Sequence, residues 1–412
     1  MCLNTLGQKG WSALPARDFP EGFLFGAATS SHQVEGGNDN CDWWDWELAG
    51  GAKDLSGTAC EHYERYPEDI ALLRSLGLNS YRFSLEWSRI EPEPGRFETR
   101  ELEHYRDMAL ACRAQGVEPI VTLHHFTLPR WLSEKGGVLA PGSTERFAAF
   151  CGAAADALEG AARYIITINE PMILVLMGYV DGVWPPGRKS YPAAVAAAQR
   201  LVRWHRAAYD RIRARHPDML LGIAKHWIDF QPLDKGSAAH RRGAALQHYL
   251  FNRWYLRAIR RSQDFIGLNY YSTRYVTSLT QGVPLASEDE PRTEMGWSIS
   301  PQGLTRALRG LREFRLPIMV TENGIAAKDD GQRLAYLLDH LAAVRAAMRE
   351  GIPVVGYQYW SLLDNFEWAE GYRPQFGLVH IDRDTQARTV RPSGERYGEI
   401  ARTGRLAEPG GS

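Results

Sequence analysis

The 412-residue sequence predicts an α/β fold, a (β/α)8 TIM barrel in a single domain. Three observations carry that expectation. Eight short apolar runs each stop abruptly on polar residues, stretches with helical period lie between them, and no linker divides the chain. A doubly wound open sheet is the alternative for alternating strands and helices, but eight units is the number that closes a barrel.

In order, the runs are "FLFGAATS" from Phe23, "SYRFSLEW" from Ser80, "EPIVTLHH" from Glu118 and "YIITINEP" from Tyr164. They continue with "LGIAKHWI" from Leu221, "DFIGLNYY" from Asp264, "PIMVTENG" from Pro317 and "VVGYQYWS" from Val354. Consecutive apolar residues are what strands buried on both faces of a parallel sheet require. After the first run, "YPEDIALLRSLGL" puts Pro67 in a first helical turn, Glu68 and Asp69 at the positive end of the helix dipole, and Gly77 at the stop. "ELEHYRDMALACRAQG", ending at Gly116, and "QRLAYLLDHLAAVRAAMREG", ending at Gly351, follow the same grammar. Gln281 to Trp297, rich in glycine, proline and acids, reads as a long loop over the barrel mouth. The barrel is assigned to residues 1–406, and "AEPGGS" at 407–412 to a disordered tail.

Composition narrows the function classes. Basic and acidic residues nearly balance at a formal net charge of −1, which leaves no footprint for nucleic acid or an anionic membrane. The N-terminal stretch lacks a signal peptide's apolar segment, and no window is long and apolar enough to span a bilayer, so a soluble, cytoplasmic protein is expected. The 5 cysteines include no CxxC pair and read as reduced thiols rather than a disulfide framework or zinc site. Most of the 13 Trp and 18 Tyr belong to the core, and the remainder offer flat faces for a ligand.

A barrel places chemistry at the C-terminal ends of its strands. There this sequence carries Gln33, Arg82, Glu86, His124, His125, Asn169, Glu170, Asn269, Tyr271, Glu322, Asn323 and Trp360. Amides, carboxylates, an arginine, a histidine and aromatics suit a polyhydroxylated ligand, and nothing among them cradles a phosphate or a nicotinamide. Glu170 and Glu322, at the tips of strands four and seven, would face each other across the mouth. Paired carboxyls about 5 to 5.5 Å apart serve a retaining glycosidase, and about 6.5 to 9.5 Å an inverting one. Taken singly, either glutamate reads more readily as a strand-end carboxylate capping a helix; it is their pairing at matched tips, within "NEP" and "ENG", that favours the catalytic reading. His124 and His125 have no companion ligands at metal spacing.

"GAATSSHQVEG", "TLHHFTLPRWL", "TINEP", "DFIGLNYYS", "VTENG" and "YWSLLDNFEWAEGY", in this order, resemble the signature motifs of glycoside hydrolase family 1, the β-glucosidase family. The resemblance covers nearly the whole chain. It implies a barrel, retention at the anomeric centre, and neither metal nor cofactor. Residue by residue it implies Glu170 as general acid/base, Glu322 as nucleophile, and Arg82 and Asn269 as groups supporting the nucleophile, with Tyr271 hydrogen-bonded to it as well. Gln33, His125, Asn169, Tyr271, Trp360, Glu367 and Trp368 would bind the sugar. Arg82 and Tyr271 should keep Glu322 ionised, while burial and a neighbouring charge should raise Glu170. Glu367 should disfavour 6-phosphoglycosides.

The sequence departs from the family pattern at Phe126 and Thr127 on the third strand. Met172 also stands where an aglycone-facing tryptophan is common, and Phe251 to Asp264 is short, which should open the entrance. The function implied is retaining hydrolysis of non-phosphorylated β-D-glucosides, with side activity on β-galactosides and β-fucosides. Its partner would be a small-molecule or oligosaccharide β-glycoside. The rivals are a transglycosidase using the same intermediate and a catalytically inactive sugar-binding homologue.

Overall fold

The computed structural model describes residues 17–277 and 291–406. Eight strands form a closed barrel, each parallel to its neighbours: β1 Leu24–Ala28, β2 Ser80–Ser84, β3 Glu118–His124, β4 Tyr164–Asn169, β5 Leu220–Pro232, β6 Ile266–Val276, β7 Ile318–Asn323 and β8 Val354–Trp360. The ring closes where β8 pairs with β1, in register from Leu24 opposite Gly356 to Ala28 opposite Trp360. One principal helix follows each strand: α1 His62–Ser75, α2 Thr99–Ala114, α3 Ser143–Leu158, α4 Tyr191–Arg213, α5 Ala238–Gln247, α6 Pro301–Leu311, α7 Asp330–Arg349 and α8 Pro392–Thr403.

Two apolar layers hold this arrangement. Ile120, Ile166, Leu220, Ala224, Phe265 and Met319 fill the barrel interior. A far larger cluster lies between the strands and the helical ring. Runs apolar at consecutive positions are needed because both faces of each strand are covered. Toward the C-terminal ends the interior turns polar, with Arg82, Asn169 and Glu322 all buried there.

Two details differ from the sequence-based reading. Helix α1 starts at His62, one turn early, so Pro67 lies inside it rather than in its first turn. The extra turn is held by His62, whose Nδ1 is 2.8 Å from Asp69 Oδ2, and Asp69 in turn accepts from Arg388 Nε at 2.9 Å. Strands β5 and β6 also run past their predicted ends and pair from Asp229 opposite Thr273 to Pro232 opposite Val276. Asp229 fastens this extension by accepting from Thr273 Oγ1 at 2.9 Å and Arg306 NH2 at 2.7 Å. The result is a wall that rises above the barrel mouth. The tail at 407–412 and most of the predicted mouth loop, 278–290, lie outside the described residues.

Candidate active site

At the tip of β4 the backbone of Glu170 takes φ 44° and ψ 55°, the left-handed region that costs a non-glycine residue about 1–2 kcal/mol. Its N–H donates to the Ala224 carbonyl at 2.8 Å, and Pro171 starts a short helix, Pro171–Val175, immediately after. The strand therefore turns sharply at its end and presents the Glu170 carboxyl to a cavity of about 450 Å³. Glu322, at the tip of β7, lines the same cavity. Just beyond it the chain passes so close to β8 that a Cβ on Gly324 would lie 1.7 Å from the Trp360 carbonyl oxygen, so only glycine fits.

Arg82 rises from β2 inside the barrel and binds Glu322 Oε1 at 2.5 Å. Its remaining donors reach Thr122 Oγ1 at 3.0 Å, the Thr321 carbonyl at 3.2 Å and Asn169 Oδ1 at 2.7 Å. A guanidinium this buried is tolerable because its donors are matched; removing one partner of such a pair costs about 3–5 kcal/mol. Tyr271 donates to the other Glu322 oxygen at 2.7 Å. Burial drives Glu322 up, Arg82 pulls it down and the charge of Glu170 raises it again, leaving it at about 7.

Glu170 has a different set of partners. Oε1 accepts from Asn269 Nδ2 at 2.7 Å and lies 2.9 Å from His226 Nδ1. Lys225, wholly buried beside it, donates to the His226 carbonyl and sits 4.3 Å from the centre of the Phe251 ring; burial lowers its ammonium to about 7. Burial raises Glu170, but His226, the Asn269 amide and the Lys225 charge outweigh it and hold the carboxyl below its ordinary value. The polarity of the pair is thus the reverse of the sequence-based expectation, and the added partners on β5 are the reason. Asn269 also departs from expectation. Its amide serves Glu170 and Asn169 rather than Glu322, and it is aimed there by Thr321 Oγ1, which donates to Asn269 Oδ1 at 2.6 Å.

The expected sugar contacts are largely brought together. His125, Asn169, Tyr271, Trp360, Glu367 and Trp368 line the cavity. His125 packs between Trp360 and Trp368, its Nε2 is 3.1 Å from Asn169 Nδ2, and its buried Nδ1 has no protein partner. Burial and then Arg82 keep this imidazole well below its usual range, so it stays neutral. Burial and the charges of Glu322 and Glu170 push Glu367 up to about 8. Gln33 is not on the wall. Ser30 Oγ donates to its Oε1 at 2.6 Å, and its Nε2 donates to the Phe366 carbonyl at 2.8 Å and Asn365 Oδ1 at 3.0 Å. It props the segment that carries Glu367. His124 faces away, packed edge-on against Phe147 and Trp204. Among the described residues, no group of three or more His, Cys, Asp or Glu is arranged to hold a metal ion. A second cavity, of about 740 Å³, opens at the opposite end of the barrel around Arg163 and Leu220, far from both carboxyls.

Residues 16–262 and 256–405 match the model of glycosyl hydrolase family 1. The chain belongs to that family. Among family 1 proteins, beta-glucosidase A of Thermotoga maritima is 33% identical, over 95% of this chain and 99% of that protein. A solved beta-glycosidase from Pyrococcus horikoshii superposes with a TM-score of 0.91 at 39% identity, covering 95% of this chain and 97% of that one. The beta-glucosidase from Thermotoga maritima in complex with glucoimidazole superposes at 0.89 and 33% identity, over 94% and 99% of the two chains.

Departures from the family 1 pattern now have physical settings. Thr127 donates to Glu86 at 3.0 and 3.1 Å, and neither lines the cavity, while Phe126 and Trp184 meet edge-to-face on the wall. Met172 does not line the cavity; Ile173 and Met177 form the wall after "NEP". No residue from Phe251 to Asp264 reaches the cavity either, since Phe251 packs edge-on to His226 from behind. Among the tryptophans outside the predicted ring, Trp184 and Trp297 line the cavity, whereas Trp131 donates to the Glu91 carbonyl and packs on Trp87. The sequence reading missed His226, Lys225 and Arg274. A signal for the first existed, because "AKHWI" ends the one strand that contributed nothing to the predicted ring.

Proposed function

We propose that this chain is a retaining β-glycosidase of non-phosphorylated β-D-glucosides, with side activity on β-galactosides and β-fucosides. The observation that carries this reading is the carboxyl pair with divided partners: Arg82 and Tyr271 on Glu322, and Asn269 and His226 on Glu170. Both glutamates are present, which argues against an inactive sugar-binding homologue, and related family 1 proteins are named beta-glucosidases.

Glu322 attacks the anomeric carbon as a carboxylate while Glu170 gives its proton to the departing glycosidic oxygen. The C–O bond to the aglycone breaks and a glycosyl ester forms on Glu322. Water then adds from the face the aglycone left, Glu170 takes its proton, and the ester bond cleaves to free sugar. For attack, the proton shared by the pair must sit on Glu170. Arg82 and Tyr271, both directed at Glu322, favour that distribution once substrate occupies the site. Once the ester has neutralised Glu322, Glu170 ionises readily, and His226 and Asn269 stabilise the carboxylate that serves as base.

Asn169 donates toward the sugar's 2-hydroxyl, and Trp360 offers its face to the C–H side of the ring. Glu367, a largely protonated carboxyl near neutral pH, hydrogen-bonds hydroxyls on the far side of the sugar. A phosphate there would meet the repelling field of Glu322 and Glu170. Burial of the four described cysteines as free thiols supports an intracellular setting.

Proton NMR of the sugar first released from nitrophenyl β-D-glucoside tests the reading. The β-anomer is expected before mutarotation. The α-anomer would make the enzyme inverting, and transfer to dilute added alcohol exceeding release of free sugar would make it a transglycosidase.

A further inference from the structure

The outer half of the cavity holds a feature the hydrolytic reading does not use. Ser272 and Arg274, alternate residues on the extended part of β6, face the cavity, while Thr273 between them turns the other way to Asp229. Tyr271, which touches Glu322, lies three residues before Arg274. At about 3.3 Å per strand residue this sets the arginine backbone roughly 10 Å farther out, on the aglycone side of the carboxyl pair.

Among the described residues lining the cavity, Arg274 is the single arginine or lysine. Its Nε is buried without a hydrogen-bond partner. The carboxyls of the same cavity are engaged elsewhere, Glu367 by Gln33 Nε2 at 3.4 Å. Glu322 is held by Arg82, Glu170 by Asn269 and His226, and Glu370 by Lys53 at 2.5 Å and Arg373 at 3.3 Å. Burial lowers Arg274, and only the charge of Asp181 opposes this. Ile173, Met177, Trp184, Met295 and Trp297 supply apolar and aromatic walls around it. A half-buried guanidinium whose Nε is buried and unpaired is costly to leave so, and its planar fork fits a carboxylate in two-point contact.

We propose that Arg274 recognises a carboxylate on the aglycone, so that the preferred substrates are β-glycosides of flat, apolar aglycones bearing an acid group. The proposal rests on the glycosidase reading and narrows its substrate class. Glucose is left in the inner half of the cavity, the aromatic part of the aglycone lies against Trp184 and Trp297, and the acid pairs with Arg274.

The test compares kcat/KM for nitrophenyl β-D-glucoside with that for two ring-carboxylated nitrophenyl isomers, using wild type, Arg274→Met and Arg274→Lys. Wild type is expected to favour at least one carboxylated isomer by about tenfold or more, as a hydrogen bond to a charged group allows. That ratio should fall to about one or below in Arg274→Met and be partly kept in Arg274→Lys. A wild-type ratio of one or less for both isomers, or a ratio undiminished in Arg274→Met, overturns the proposal while leaving the glycosidase reading intact. If Arg274→Met fails to fold, the wild-type ratio and Arg274→Lys decide. Failure of wild type to cleave any of the three glucosides overturns both readings.

Discussion

The two halves of the cavity are built on opposite plans. In the inner half nearly every polar atom is committed: Arg82 ties Glu322 to Asn169, Asn169 meets His125, and Asn269 ties Asn169 to Glu170. The outer half is Ile173, Met177, Trp184 and Trp297 with one arginine, Arg274, whose Nε is unpaired, supplied by a short helix, loops and the raised β5–β6 wall. The first arrangement fixes geometry, as proton transfer and nucleophilic attack require. The second offers area and little direction, which suits a leaving group of variable shape. Substitutions in the inner half should therefore act on kcat and its pH dependence, and those in the outer half on KM.

The largest effect is expected at the carboxyl pair. Glu322→Ala should lower turnover of nitrophenyl β-D-glucoside by about 10⁴-fold or more, because no other group can form the glycosyl ester. Glu170→Gln should cost about 10²–10⁴-fold on alkyl glucosides, whose leaving oxygen needs a proton, and much less on nitrophenyl glucoside. Equal losses on both substrates in steady-state assays would remove Glu170 from the acid's role.

A smaller effect is expected at His226. His226→Phe should lower kcat/KM by about tenfold through misplacement of Glu170. The sign of its pH effect follows from the contact, since His226 favours the ionised form of Glu170. Without it, Glu170 keeps its proton to higher pH, and the alkaline limb of kcat/KM should move upward. The alkaline limb of wild type should fall as pH rises through about 7, where the pair loses the one proton that must reach Glu170 for the leaving oxygen. An alkaline limb unmoved in His226→Phe would reduce the histidine to packing. The smallest effect belongs to the outer half: Trp184→Ala should raise KM for aryl glucosides by about three- to tenfold with kcat nearly unchanged.

The same contrast explains what could be read from sequence. The barrel was legible because burial on both strand faces writes itself as consecutive apolar residues. The inner site was legible because its groups sit within a residue or two of strand ends, where "NEP" and "ENG" place them. Asn269 showed its position but not its target, since which carboxyl an amide reaches depends on the β6–β7 register shift at that residue and on Thr321 of the neighbouring strand. His226 escaped because a lone histidine on a buried strand is more often packing than chemistry. Arg274 escaped because nothing local marks that β5 and β6 continue past the mouth; Asp229, Thr273 and Arg306, distant in sequence, hold the extension together. Pro67 misled for a related reason, as the turn before it is stabilised by Asp69 and Arg388 from the far end of the chain.

The most direct test of the account is to trap the covalent intermediate. Wild type is incubated with a fluorosugar glucoside carrying a dinitrophenyl leaving group, which slows ester hydrolysis more than ester formation, and the labelled peptide is then mapped by mass spectrometry. One sugar per chain on Glu322 is the predicted result. Label on Glu170, or turnover of the fluorosugar with no adduct at any time, would contradict the account.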